Sequence, residues 1–237
     1  MKIAICDDEE YYLKDISSRI HNLENIYQDE VSLYVDTFQN GIDLLESFQI
    51  KRYDLIYLDI ELNDVNGVNL AKKIHDIKPN CMIIFVTSHM SYFNQSYIVN
   101  AFQYMKKPLK DKLFTNELKR AVKKYQFYQK TFVFPTSVGN TVINVHDIIF
   151  LETFYKRYKL YTTKGVYYGS LKPILSYREE LLEYHFFQIQ RSFTVNLAHI
   201  RSIDNSVVTM SNDEVLKISR KKYKEFKQAF YKFLDKQ

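Results

Sequence analysis

Tryptophan is missing from this chain, and cysteine, proline and glycine are scarce, at two, four and five residues. Two cysteines cannot build a disulfide framework. Cys6 and Cys81 both lie in apolar, strand-like runs, where a reduced and packed thiol is expected. No internal repeat or low-complexity tract stands out. No run of about 18 apolar residues occurs, so no membrane span is expected. The N-terminus, Met-Lys-Ile-Ala-Ile-Cys-Asp-Asp, turns acidic after six residues, too soon for the apolar stretch of a signal peptide. These absences point to a cytoplasmic protein with no membrane partner.

What is present fits a globular chain. Its 237 residues are 46% hydrophobic and 26% charged, enough for one large domain or two of ordinary size. The net charge of +5 is unevenly spread. Up to residue 130 there are 17 Lys and Arg against 18 Asp and Glu; beyond it there are 16 against 10. A basic second half suggests a polyanionic partner, either nucleic acid or an anionic surface.

The two halves also differ in rhythm. In the first, short apolar runs at 2–6, 32–38, 55–59, 82–87 and 101–105 alternate with helical patterns near 11–25, 41–49, 65–77, 92–99 and 110–124. Five such units predict a parallel sheet covered by helices on both faces. From about Thr131, β-branched and aromatic segments follow one another at 132–135, 141–145, 148–154, 159–163, 166–168, 187–189, 199–203, 207–210 and 215–218. Gly139-Asn140, Lys164-Gly165, Asp204-Asn205 and Asn212-Asp213 mark turns between them. A helix is expected over 171–184, with Ser170 as N-cap. Another is expected from Arg220 to the end, burying Tyr223, Phe226, Phe230 and Phe233 on one face. The domain limits read as 1–125 and 131–237, joined by a short polar-aromatic linker, 126–130.

In a doubly wound sheet the C-terminal strand ends converge on one edge, where ligands bind. Asp7 and Asp8 follow the first predicted strand, Asp59 closes the third, Thr87 closes the fourth, and Lys107 follows the fifth and precedes Pro108. With strand order 2-1-3-4-5, three carboxylates share a few ångströms. Such charges repel by about 1 kcal/mol at roughly 4 Å in water, and several times more when partly desolvated. Raised carboxyl pKa values, a cation, or both must offset this. A hard divalent ion with oxygen ligands fits, and Mg²⁺ takes one or two carboxylates plus waters and phosphate oxygens. Lys107 adds a fixed positive charge, and Thr87 offers a hydroxyl to an incoming phosphoryl oxygen. The set reads as a phosphoryl-transfer site with Asp59 as nucleophile. Taken singly, each of these residues has a plainer role in capping or at the surface; it is their agreement at four strand ends that counts.

Residues 1–125 resemble a receiver domain of two-component signalling, of flavodoxin-like α/β fold with five parallel strands. The matching segments are Ile5-Cys6-Asp7-Asp8-Glu9, Asp54-Leu55-Ile56-Tyr57-Leu58-Asp59-Ile60, Gly67, Val86-Thr87-Ser88 and Tyr104-Met105-Lys106-Lys107-Pro108. The resemblance implies Asp59 as phosphoacceptor, Asp8 as a direct Mg²⁺ ligand, Asp7 acting mainly through water, and the Glu61 backbone carbonyl as a further ligand. It also implies Thr87 and Tyr104 as the switch pair, the hydroxyl moving toward the phosphoryl group while the ring swings inward. Asn63 stands where many receivers have proline, which leaves the chemistry intact but alters the loop after Asp59.

In the second half, basic residues gather in three segments: Tyr155-Lys156-Arg157-Tyr158-Lys159, Gln190-Arg191-Ser192-Phe193-Thr194-Val195-Asn196, and Ser219-Arg220-Lys221-Lys222. Lys and Arg supply phosphate contacts, and Arg and Asn can read base edges bidentately. Positive charge at a helix start opposes the dipole, so stability is a poor explanation for Arg220-Lys221-Lys222. Arg191 could equally tie strands together, and Asn196 could equally be a turn residue or C-cap. Residues 131–237 resemble the LytTR DNA-binding domain, a mostly β structure whose loops enter successive major grooves. Ile149-Phe150-Leu151-Glu152-Thr153, Arg191 through Ile200, and Ile218-Ser219-Arg220-Lys221-Lys222-Tyr223 carry that resemblance. It implies Asn196 and Arg220 as base readers. Arg157 and Tyr158 lie at the hairpin position, where many relatives have His, and Lys221 and Lys222 are expected on phosphates. The combination resembles quorum-sensing and virulence regulators of low-GC Gram-positive bacteria.

The expected function is a non-enzymatic, phosphorylation-activated transcriptional regulator. A sensor histidine kinase phosphorylates Asp59, and the protein then binds promoter DNA with repeated half-sites as a homodimer. A Mg²⁺-dependent phosphohydrolase is one rival, but it lacks an acid/base Asp two residues after the nucleophile, where Glu61 sits, and leaves the basic half unexplained. A phospho-switch with a protein output partner is the other.

Overall fold

The computed structural model describes residues 1–27, 31–88, 101–170 and 177–235, without the side chains of 178 and 179. The expected helix at 92–99 and the first part of the one expected at 171–184 lie outside the described residues. The chain divides into two compact units, Met1–Gln126 and Phe127–Gln237.

The first unit is a five-stranded parallel sheet with strands β1 (Lys2–Cys6), β2 (Tyr34–Phe38), β3 (Leu55–Leu58), β4 (Met82–Thr87) and β5 (Gln103–Lys106), in the order β2-β1-β3-β4-β5. Four helices are described with it: α1 (Glu10–Tyr27), α2 (Gly41–Lys51), α3 (Gly67–Ile77) and α4 (Asp111–Gln129). Every residue of β3 and β4 is buried, as continuous apolar runs require. The two-residue alternation of strands splits these runs between two cores. Ile3, Ile5, Leu55, Tyr57 and Ile84 face α1 and α4, where Ile16, Ile20, Phe114 and Leu118 cover them. Ala4, Ile56, Leu58, Ile83 and Phe85 face α2 and α3, covered by Leu44, Phe48, Ala71 and Ile74.

The predicted linker is replaced by helix. Residues 126–129 complete α4, and Phe127 lies against Tyr184, His146 and His185, with ring centroids 4.9, 4.9 and 5.1 Å away. Aromatic side chains this well packed have no reason to stay in a solvated connection.

The second unit is mostly antiparallel strand. Its larger sheet contains β6 (Thr131–Thr136), β7 (Gly139–Asn144), β8 (Ile148–Phe154), β9 (Arg157–Thr162), β10 (Gly165–Ser170), β11 (Phe186–Gln188) and β12 (Phe193–Asn196), in the order β11-β12-β8-β9-β10-β6-β7. A smaller sheet contains β13 (Ile200–Asp204), β14 (Val207–Met210) and β15 (Val215–Lys217) in that order. Two helices are described here, α5 (Arg178–Glu183) and α6 (Tyr223–Leu234). Ser170, expected as an N-cap, ends β10, and Tyr177 at the described helix start makes no side-chain cap. Residues 220–222 form a turn ahead of α6 rather than its first turn. The apolar face expected for that helix is present: Phe226 and Phe233 are buried, and Tyr223 and Phe230 pack against the same cluster. Among the described residues no helix is long and apolar enough to cross a membrane.

Candidate phosphoryl-transfer site and nucleic-acid interface

The acidic pocket forms at the C-terminal ends of β1 and β3, which pair directly through Cys6 and Leu58. The next residues along, Asp7 and Asp59, are carried to the same edge, and the Asp59 N–H donates to the Cys6 carbonyl at 2.9 Å. Asp7, Asp8 and Asp59 each place a carboxylate oxygen within 4.8 Å of the others. Thr87 ends β4, buried, and its carbonyl accepts the Lys107 N–H at 2.9 Å. That bond starts the segment after β5 beside the pocket, and the Lys107–Pro108 peptide is cis.

Lys107 is the counter-charge. Its Nζ lies 2.6 Å from Asp59 Oδ2, 2.8 Å from Asp7 Oδ2 and 3.4 Å from Glu9 Oε1, with the lysine side chain 2% exposed. Burial alone would lower the lysine pKa, but the hydrogen bonds it donates to Asp59 and Asp7, with their negative charges, outweigh it and hold the value above normal. Burial pushes Asp7 up to about 6, against the opposing pull of Lys107. The other oxygen of Asp59, Oδ1, accepts the backbone N–H groups of Ile60 at 2.6 Å and Glu61 at 3.3 Å. The carboxylate is thus fixed through both oxygens. The cluster is all hard oxygen donors, so its chemistry suits a small divalent cation.

Gly67 is where the loop after Asp59 returns. A Cβ there would meet the Asp59 carbonyl oxygen at 2.1 Å, so only glycine allows the close approach. Asp64 ties the same loop down by accepting the Gly41 and Ile42 N–H groups at 3.1 and 2.9 Å. Asn63, the departure noted above, is simply exposed. Tyr104 stacks on Phe85 at 5.1 Å and is partly buried against the same core.

In the second unit the three basic segments are laced together. The Thr153 N–H donates to the Ser192 carbonyl at 2.8 Å, the Ser219 N–H donates to the Ile189 carbonyl at 3.0 Å, and the Gln190 side-chain amide donates to the Lys217 carbonyl. Arg157, Arg191, Arg220 and Lys221 are exposed around these ties. Lys222 is half-buried and paired with Glu225 at 2.6 Å.

Two of the expected DNA contacts are corrected. Tyr158 is fully buried, with its hydroxyl donating to the Pro135 carbonyl at 3.1 Å. The two-residue alternation of β9 turns Tyr158 and Leu160 inward and Arg157 outward. Asn196 is 2% exposed. Its Oδ1 accepts the Ala198 N–H at 3.1 Å and its Nδ2 donates to the Ile148 carbonyl at 3.0 Å, a structural role that a base reader would have to abandon. Tyr155, which opens the first of the basic segments, sits at the β8–β9 tip, 99% exposed with a left-handed φ of 51°.

Comparison with known proteins matches this division. Residues 3–119 match the family described as response regulator receiver domain, and residues 139–231 match the LytTr DNA-binding domain. The transcriptional regulatory protein YpdB of Escherichia coli (strain K12) is 29% identical over 250 residues, covering 98% of this chain and all of that protein. The transcriptional regulatory protein LytR of Staphylococcus aureus (strain NCTC 8325 / PS 47) is 25% identical over 247 residues, covering 96% and 98%. Among solved structures, the response regulatory domain of protein mrkE from Klebsiella pneumoniae aligns with a TM-score of 0.48 at 25% identity, covering 53% of this chain and 98% of that one.

Proposed function

The chain belongs to the response regulators that join a receiver to a LytTR DNA-binding domain, and on that premise we propose that Asp59 is its phosphoacceptor. Phosphorylation-activated regulation of transcription is what this pairing of domains performs. The observation that carries the residue assignment is Lys107, whose buried ammonium touches both Asp59 and Asp7 in a pocket of three carboxylates.

In this reading a sensor histidine kinase presents phosphohistidine at the pocket. A carboxylate oxygen of Asp59 attacks phosphorus, the P–N bond breaks with its electron pair left on the imidazole, and an aspartyl phosphate forms. Lys107 holds the developing charge on the phosphoryl oxygens. Asp7, Asp8, Asp59 and the Glu61 carbonyl would hold Mg²⁺, which when bound supplies a hard Lewis acid for those oxygens. The added charge shifts a pre-existing equilibrium through Thr87 and Tyr104. Arg157, Arg191, Arg220 and Lys221 meet promoter DNA with repeated half-sites, and the phosphorylated protein binds it as a homodimer. The protein works in the cytoplasm and turns over no external substrate. Labelling with acetyl phosphate and Mg²⁺ tests the assignment: wild type is expected to take the label and Asp59→Asn to take none. Equal labelling of the two would remove Asp59 from the role.

A further inference from the structure

The Lys107 ammonium also lies over the Tyr12 ring, 3.9 Å from its centroid. We propose that Tyr12 is a positioning residue for phosphoryl transfer, its ring face holding the Lys107 ammonium against Asp59. The proposal rests on Asp59 being the phosphoacceptor.

The contacts of Lys107 differ in whether they persist through the reaction. A lysine ammonium is a compact charge on a flexible four-carbon stem, so its direction depends on its partners. Asp59 Oδ2, at 2.6 Å, belongs to the group whose charge changes when it is phosphorylated. Asp7 is shared with the cation site. Glu9 reaches Nζ at 3.4 Å from a side chain 61% exposed, where solvent screens it. The face of the Tyr12 ring takes no part in the bond changes and presents the same negative potential throughout. Its place is set by the first turn of α1. Tyr12 is the third residue of α1, next to the buried Leu13, and Tyr11 packs edge-on against its ring at 5.0 Å and 80°. Removing the ring would free the ammonium to follow Glu9 toward solvent.

The test uses the full-length chain with Mg²⁺ and labelled acetyl phosphate, following the rate of incorporation. Tyr12→Phe keeps the ring face and is expected to retain the wild-type rate. Tyr12→Leu keeps apolar bulk without the face and is expected to slow labelling by about three- to thirtyfold. Pentafluorophenylalanine at position 12 keeps the ring shape and reverses its polarity, and should be at least as slow as leucine; it also decides the matter if the leucine variant is unfolded. An independent readout is NMR of labelled lysine. The Lys107 ε-protons should be shifted upfield by the ring in wild type and Tyr12→Phe, and not in Tyr12→Leu. Wild-type rates for the leucine and fluorinated variants, or a phenylalanine variant as slow as leucine, overturn the proposal. If the wild type takes no label, the phosphoacceptor assignment falls first, and the proton shifts still decide whether the ring holds Lys107.

Discussion

Asn144 and Asn196 perform the same task at two places in the second unit. Each ends a strand and accepts the N–H two residues on, at 2.8 and 3.1 Å, to start a short 3-10 turn. Each donates its amide nitrogen to a distant carbonyl, Tyr128 for one and Ile148 for the other. Each turn ends near a histidine whose ring meets a backbone carbonyl, His146 on Phe127 at 3.2 Å and His199 on His146 at 2.7 Å. Asn196→Ala would strand two partners of a buried amide, at a cost of about 1–3 kcal/mol. We expect a lower unfolding midpoint with unchanged preference between operator and scrambled DNA; normal stability with preference lost at one base position would return Asn196 to base reading. The parallel between the two turns is a finding of the structure, since the burial and hydrogen bonds that make it are not visible in the sequence. Asparagine and tyrosine suit an interface and a satisfied core alike, so residue type alone left Asn196 and Tyr158 on the wrong surface. The acidic pocket was easier, because a carboxylate or ammonium at a strand end has few stable placements without a partner.

At the scale of elements, the loop from Asp59 to α3 shows how a cap far along the chain can fix a site. Asp64 reaches across to the first N–H groups of α2, while Asn66 caps α3 by accepting the Val68 N–H at 2.9 Å. Burial pushes the Asp64 pKa up, but the N–H donors of Gly41 and Ile42 outweigh it and hold the carboxyl below its normal range. A depressed pKa means the ionised form favours folding, so the stabilisation is fully present above the ordinary aspartate value and is lost as pH falls through the folded one. Asp64→Ala is therefore expected to cost about 0.5–2 kcal/mol at pH 7, and denaturant melts should show the gap to wild type closing in acid. A gap that is constant down to pH 2 would mean the charge does not matter. Hydrophobic rhythm located most elements because burial on one face imposes a period, as in β4 and α6. It missed β12, whose four residues sit in a stretch that reads as basic and polar. That strand exists because β8 and β11 flank it, with Val195 opposite Phe150 on one side and Phe187 on the other.

For the whole molecule, the proposed function requires an event at Asp59 to change DNA binding by the second unit. Thr87→Ala keeps the three carboxylates and Lys107, so it should still accept label from acetyl phosphate. It lacks the hydroxyl expected to meet the phosphoryl oxygen, so its DNA affinity should rise little or not at all on phosphorylation. Titrating operator DNA with phosphorylated and unphosphorylated protein checks this; an equal gain for Thr87→Ala and wild type would move the switch elsewhere. The sequence by itself determined the division into an acidic α/β half and a basic β half, the order of most elements, and which residues stand at the strand ends of the acidic pocket. Charge balance, periodicity and strand-end placement are local properties that survive without coordinates. Only the tertiary structure decided that residues 126–129 are helix, that Asn196 and Tyr158 serve the core, that Lys222 is paired with Glu225, and that Tyr12 lies under Lys107. Each of those depends on which distant group comes within a few ångströms, and that is settled by packing and hydrogen-bond satisfaction across the fold rather than by any residue's neighbours in the chain.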